Sequence, residues 1–121
     1  MKNLLFISRH SPYGSGLARE ALDAVLGASV YGQNLSLLFM DDGVFQLLKN
    51  QDPQKLQQKR LSANLSALPL YEVENLFVHS ESLTMRGIDA DQLIFSGEEL
   101  TLLDNQQVAE LMCRQDQLLS F

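Results

Sequence analysis

The sequence has a single cysteine, Cys113, in 121 residues. One thiol cannot close an internal disulfide, so no covalent staple is expected, and the compartment that fits is the reducing cytoplasm. No apolar run approaches the roughly 18 residues that a membrane-crossing helix needs. The opening stretch, Met1 to Arg9, has too short an apolar segment for a signal-peptide core and no small-residue cleavage site, so it reads as a first strand. Basic residues are scarce. Nine Lys and Arg against fifteen Asp and Glu leave a net charge of −6. That balance argues against direct contact with nucleic acid, which relies on basic surface to neutralise phosphates. The one local basic cluster, Lys55, Lys59 and Arg60, reads as a solvated helix face. Internal repeats and low-complexity segments are absent, and the length predicts one domain over residues 1–121.

What is present is an alternation of short apolar runs and helical periods. Leu4 to Ser8 suits a buried strand, and Ser11 to Gly16 a turn, because proline fixes φ and glycine tolerates positive φ. Ala18, Ala21, Leu22, Val25 and Leu26 recur at helical spacing, with Gly27 weakening the end and Gly32 closing it. Leu35 to Met40 predicts a second strand. It stops at Asp41-Asp42-Gly43, where Asp42 is expected to cap a short helix from Val44 to Leu48. A helical period runs from Leu56 to Leu68. Val73 to Val78 predicts a third strand, Ser80 to Arg86 a short helix with Gly87 as its C-terminal cap, and Gln92 to Phe95 a fourth strand. Asp104 caps a helix containing Val108, Leu111 and Met112, and Gln117 to Phe121 is the last strand. Such alternation predicts an α/β fold with a mostly parallel five-stranded sheet, covered on both faces as a small three-layer sandwich. The carboxyl ends of the strands, where Ser8 to Gly16, Met40 to Val44 and His79 to Ser82 meet, become the functional edge.

Most motifs at that edge lack the chemistry they first evoke. Gly14-Ser15-Gly16 follows a strand and opens a helix, but position 19 is Arg where a dinucleotide fingerprint needs glycine, and no phosphate-loop lysine follows. The reading is a turn entering a helix. Asp41-Asp42 resembles a phospho-acceptor or metal pair. The first strand, however, ends in Ser8-Arg9-His10 and supplies no acidic partner, so a turn with a helix cap is preferred. His10 and His79 both lie near strand ends, yet two histidines without thiolate or carboxylate partners make a poor zinc site, and the nearby serines are too generic for a triad. Cys113 falls late in an amphipathic helix with no group in view to stabilise a thiolate, so it reads as an inert thiol. An independent small enzyme or ligand-binding domain using His10, Asp41 and His79 stays open at this point. It predicts a stable monomer with a measurable ligand.

Val44-Phe45-Gln46-Leu47-Leu48 places an aromatic and three aliphatics beside a strand-end turn. Core and interface roles are both open for it, and Val44, Phe45, Leu47 and Leu48 are the candidate interface residues. The terminal Phe121 predicts a tail pinned by packing.

The segment Asp42-Gly43-Val44-Phe45-Gln46-Leu47-Leu48 resembles the corresponding segment of the TusC/DsrF subunits of the DsrE-like sulfur-relay family. So does the opening strand with its Ser11-Pro12-Tyr13-Gly14 turn and the helix carrying Arg19-Glu20-Ala21-Leu22-Asp23-Ala24. Ser82-Leu83, Arg86-Gly87-Ile88 and Leu119-Ser120-Phe121 support the likeness. The resemblance implies a DsrE-like sandwich that assembles with TusB-like and TusD-like subunits as a heterohexamer, a dimer of heterotrimers. Such complexes take persulfide sulfur from TusA and pass it to TusE for 2-thiolation of the tRNA wobble uridine; the DsrEFH counterparts serve dissimilatory sulfur oxidation. The persulfide cysteine of the family belongs to the TusD/DsrE-type subunit, after its third strand. The matching position here is His79, so the persulfide role does not carry over; no catalytic residue, cofactor or metal is expected of this chain, and sulfurtransferase activity is expected of the complex rather than of this subunit on its own.

Overall fold

The computed structural model describes residues 2–11, 16–31, 34–48, 65–68, 73, 75–95 and 98–121. Five strands form one sheet: β1 (Asn3–Ser8), β2 (Asn34–Phe39), β3 (Asn75–His79), β4 (Leu100–Leu103) and β5 (Gln117–Ser120). Their order across the sheet is β4-β3-β2-β1-β5, and every pairing is parallel. The helices are α1 (Leu17–Ser29), α2 (Ser80–Met85) and α3 (Asn105–Cys113), with 3-10 segments at Asp41–Leu47 and Ala90–Gln92.

Parallel strands buried on both faces read as continuous apolar runs, and the registers show why. On one face Phe6, Leu37, Leu76 and Leu100 line up across four strands. They meet Ala18, Leu22 and Val25 of α1, Val44 and Leu47 of the 3-10 segment, and Leu83 of α2 in one core cluster. On the other face Leu5, Ile7 and Leu38 pack with Val108 and Leu111 of α3. The alternation of Cβ direction along each strand therefore feeds two separate cores, with helices on both sides of the sheet. Phe121 closes the β5 edge: its ring stacks on Phe6 at 6.5 Å, and its carbonyl accepts the Arg9 N–H at 2.8 Å.

Several boundaries differ from the sequence expectation. Gln92 to Phe95 is not a strand. Asp89 and Gln92 form a reciprocal capping box around the 3-10 turn. Leu93 then makes an antiparallel bridge to Leu48, and the Ile94 N–H reaches the Leu47 carbonyl at 2.7 Å. Leu93 and Phe95 fill the core, so their i, i+2 spacing imitates a strand. The fourth strand is instead Leu100–Leu103. The third strand begins at Asn75, and Val73 is buried ahead of it, its N–H on the Leu68 carbonyl. α1 runs through Gly27 to Ser29. Of the expected Leu56–Leu68 helix only residues 65–68 are described, with Leu65 and Leu68 in the core. Lys55, Lys59, Arg60, Gly32 and the turn residues 12–15 lie outside the described residues.

Candidate functional site at the carboxyl ends of the strands

The exits of β1, β2, β3 and β4 are joined into one hydrogen-bonded edge. The 3-10 segment after β2 is its hub. It starts at Asp41 rather than Val44, with Met40 as N-cap and no side-chain cap, so Asp42 does not play the capping role expected of it. The reason is a different partner for each carboxylate. Asp41 Oδ2 pairs with Arg9 Nε at 3.0 Å, and Asp42 Oδ1 pairs with Arg86 Nη2 at 3.0 Å. The two acids are thus held by two different arginines and do not form a shared metal or phospho-acceptor site. Among the described residues no three His, Cys, Asp or Glu side chains converge as metal ligands would.

Three features fix this segment against its neighbours. Asp41 adopts φ +51°, the left-handed region that costs a non-glycine residue about 1–2 kcal/mol. It is held there by its own N–H, which donates to Ser82 Oγ at 2.9 Å. Gly43 lies so close to the end of β1 that a Cβ built on it would sit 2.0 Å from the Ser8 carbonyl oxygen. Gln46, only 1% exposed, turns its amide inward. Its Nε2 donates to Ser8 Oγ at 2.6 Å and to the His10 carbonyl at 2.9 Å. A buried amide is costly unless its bonds are made, and here they tie the β1 exit to the segment after β2.

His79 is the last residue of β3 and the N-cap of α2. Its Nδ1 lies 2.7 Å from Ser82 Oγ and its Nε2 2.5 Å from Asn105 Oδ1, at the start of α3. Asn105 Nδ2 donates in turn to Glu81 Oε2. Ser80 Oγ donates to the Leu103 carbonyl at 3.1 Å, so the β4 exit joins the same edge. The end of α2 is a Schellman motif. Gly87, at φ +66°, donates its N–H to the Thr84 carbonyl, and the Ile88 N–H reaches the Leu83 carbonyl, with both Leu83 and Ile88 buried. Gly87 is thereby the C-terminal cap that the sequence predicts.

The structure sorts the predicted site residues. It joins Asp41 and His79 through Ser82, but His79 makes neither of its ring contacts with His10, whose side chain is exposed. Cys113 is the exposed last residue of α3. Of the four candidate interface residues, Val44 and Leu47 are 0% exposed and take the core role of the two left open for them. Phe45 and Leu48 remain partly exposed. The Arg86 guanidinium lies 6.0 Å from the Phe45 ring centroid while donating to the Ser82 carbonyl. Sequence reasoning placed Ser82 at the edge without a role, and missed Gln46, Asn105 and Arg86 as members of it. Gln46 carried a signal, being the one polar residue between Val44 and Leu47 in a segment that fills the core. Ser82 carried another, standing three residues after the N-cap, where side chains meet helix starts.

Chemically, the edge positions and constrains. Both ring nitrogens of His79 and the amide of Gln46 are taken up within the chain, and Ser82 is 2% exposed. No thiol stands at the β3 exit, so this position cannot carry a sulfur atom as a persulfide.

The comparisons with known proteins agree along the whole chain. The DsrE/DsrF-like family pattern matches residues 2–121. A protein named Protein TusC homolog, from Pseudomonas aeruginosa, is 43% identical over 119 residues, which is 98% of each chain. A second of that name, from Vibrio parahaemolyticus, is 38% identical over 121 residues and covers both chains completely. The intracellular sulfur oxidation protein DsrF of Allochromatium vinosum is 34% identical over 132 positions, covering 100% of this chain and 97% of that one. Among solved structures, the ychN protein from E. coli superposes with a TM-score of 0.80 over the full length of both chains at 21% identity, a likeness of fold. With one sheet, one order of elements and one continuous match from residue 2 to residue 121, the chain belongs to the DsrE/DsrF-like family.

Proposed function

We propose that the chain is a subunit of a sulfur-relay complex that supports sulfur transfer without carrying sulfur itself. The observation that supports this reading most directly lies at the β3 exit. The residue there is His79, its ring nitrogens are engaged by Ser82 and Asn105, and the single thiol stands at the end of α3. Persulfide transfer needs a thiolate to attack the outer sulfur and a second thiolate to leave. An imidazole fixed by two internal hydrogen bonds serves neither role. The names of the relatives in Pseudomonas and Vibrio favour the TusC place in such a complex. In that place the chain assembles with TusB-like and TusD-like subunits as a dimer of heterotrimers. The TusD-type partner holds the persulfide, received from TusA and passed to TusE for 2-thiolation of the tRNA wobble uridine. The net charge of −6 suits association with basic protein surfaces and leaves tRNA contact to another component.

The test is co-expression with TusB-like and TusD-like subunits, native mass spectrometry, and a persulfide assay on each subunit. A hexamer with sulfur only on the partner's cysteine supports the proposal. A free monomer, or sulfur on Cys113, overturns it. Phe45 and Leu48 are the interface residues in this reading, because they are the exposed part of the apolar segment. Phe45→Glu is expected to block assembly while the isolated chain stays folded, since Arg86 already lies over that position and can pair with the new carboxylate. An intact complex from this variant removes the segment from the interface.

A second reading is the DsrF place in dissimilatory sulfur oxidation, favoured by the 34% identity to the Allochromatium protein. Sulfite-reductase genes beside this one would select it, and their absence with TusA and TusE genes present would select the first.

A further inference from the structure

His79 stands in the middle of a hydrogen-bond chain whose two ends are chemically fixed. At one end the Asp41 backbone N–H can only donate, and it donates to Ser82 Oγ at 2.9 Å. At the other, Glu81 Oε2 accepts, taking the Asn105 Nδ2–H at 2.5 Å. With its nitrogen committed to Glu81, Asn105 turns its oxygen to His79 Nε2, so Nε2 carries a proton. A neutral imidazole then has a bare Nδ1, and the Ser82 hydroxyl, 2.7 Å away, donates to it. Every donor has one acceptor, and the direction runs one way from Asp41 to Glu81.

We propose that His79 is a proton-operated latch: neutral, it fixes the left-handed turn at Asp41 to α2 through Ser82; protonated, it releases that end and keeps the one at α3. A second ring proton can go only to Nδ1. That nitrogen then donates to Ser82 Oγ, which already accepts the Asp41 N–H. The Ser82 proton loses its acceptor in a place where the residue is 2% exposed. Ser82 Oγ has a second lone pair, so Asp41 is freed only as the hydroxyl turns to a new acceptor; it is the end that yields because a non-glycine residue at φ +51° persists only when its surroundings hold it. The other end keeps its donor, which becomes charge-assisted.

The charged groups around the ring come from four elements. From α2, Glu81 attracts a charged ring through Asn105. Arg86 opposes it from the Ser82 carbonyl. From the β2 exit, the Asp41 carboxylate is engaged by Arg9 of the β1 exit, and Asp42 by Arg86. From the β4 exit, Asp104 accepts the Gln107 N–H as the cap of α3. The latch stands apart from the sulfur-relay reading and holds or fails without it.

The test is nuclear magnetic resonance of the full chain across the titration of the His79 ring. Nitrogen shifts of the ring are expected to report the Nε2–H tautomer at high pH; the opposite tautomer overturns the latch. The Asp41 amide resonance is expected to move with the same midpoint as the ring, and its hydrogen-exchange protection to fall about tenfold on the protonated side, the loss of one hydrogen bond. An Asp41 amide that ignores the ring overturns the proposal. In Ser82→Ala the ring should still titrate while Asp41 no longer follows. Continued tracking would mean a through-space field and would also overturn it. If that variant does not fold, the exposed Asn105→Ala replaces it: the ring should then populate both neutral tautomers, and an unchanged tautomer refutes the fixed direction of the chain.

Discussion

Gly43→Ala is the most demanding single test of how the edge is built. The added methyl would sit 2.0 Å from the Ser8 carbonyl oxygen, 2.7 Å from its carbon and 3.2 Å from the Arg9 Cα. All three are backbone atoms, so no side chain can swing away. Reaching even a tight contact requires the segments to part by about 1 Å, in interiors that tolerate little change. The Met40 N–H bond to that same carbonyl (3.1 Å) and the two bonds from Gln46 to Ser8 and His10 lie in the path of the movement. Losing two or three hydrogen bonds at about 1 kcal/mol each, with overpacking of about 1–3 kcal/mol, gives about 3–6 kcal/mol. That is a large share of the roughly 5–15 kcal/mol that holds a domain folded. For a chain of this size it corresponds to a fall in Tm of about 10–25 °C. Thermal and urea unfolding of the purified variant measure it. A Tm within about 3 °C of the parent would mean that the β1 exit and the segment after β2 are not locked, and the argument for a rigid edge would fail.

Substitutions at three further positions probe the same edge, each read by urea unfolding. Gln46→Ala removes a buried amide and strands the Ser8 hydroxyl, at a cost of about 2–4 kcal/mol; a loss under about 1 kcal/mol would mean the two bonds contribute little. Gly87→Ala is expected to cost about 1–2 kcal/mol at φ +66°, with Gly87→Asn falling between the two, and equal stability of all three would contradict the left-handed cap. Asp41→Gly relieves the strained φ while losing an exposed ion pair worth about 0–1 kcal/mol, so it should exceed Asp41→Ala in stability by about 1 kcal/mol; the reverse order would mean that the carboxylate, and not the backbone, sets the turn.

The fold was largely legible because both faces of the sheet are covered. Burial on two faces makes strands such as Leu35 to Phe39 nearly continuous in apolar residues, and the helices between them show the 3.6 period of Ala18, Leu22 and Val25. The Asp104 cap and the Gly87 stop were legible for the same local reason: each acts on backbone groups within a turn of itself. The failures share a cause too. Leu93 and Phe95 alternate like a strand, but they fill space behind the bridge from Leu48, a partner 45 positions away that no local pattern reveals. Val44 and Leu47 were left open between core and interface because a short segment shows no period long enough to fix its buried face; the close approach of Gly43 to Ser8 seats these two residues in the core. The meeting of the strand exits was legible, but the hydrogen bonds that join them were the least legible part. Asp41, His79, Ser82 and Asn105 come from three exits separated by dozens of residues, and only the register of the parallel strands brings them together.

That assembly has a consequence for what the edge can do. A reactive group at a strand exit must be partly free: a nucleophile needs access, and a base needs an unoccupied nitrogen or oxygen. Here the polar groups at the exits answer one another. Gln46 closes on the β1 exit, Arg86 joins Asp42 to the Ser82 carbonyl, and His79 spans Ser82 and Asn105. Self-satisfaction of this kind trades reactivity for a fixed shape, since each bond made inside the chain restricts a loop and occupies a group that a substrate would need. A surface of fixed shape is the useful property in a subunit that must meet others in one geometry, because ordering costs met during folding are not met again on binding. The partly exposed Phe45, gripped from one side by Arg86 and from below by the core, is the clearest instance: an aromatic with few rotamers left to lose, placed at the rim of the rigid edge.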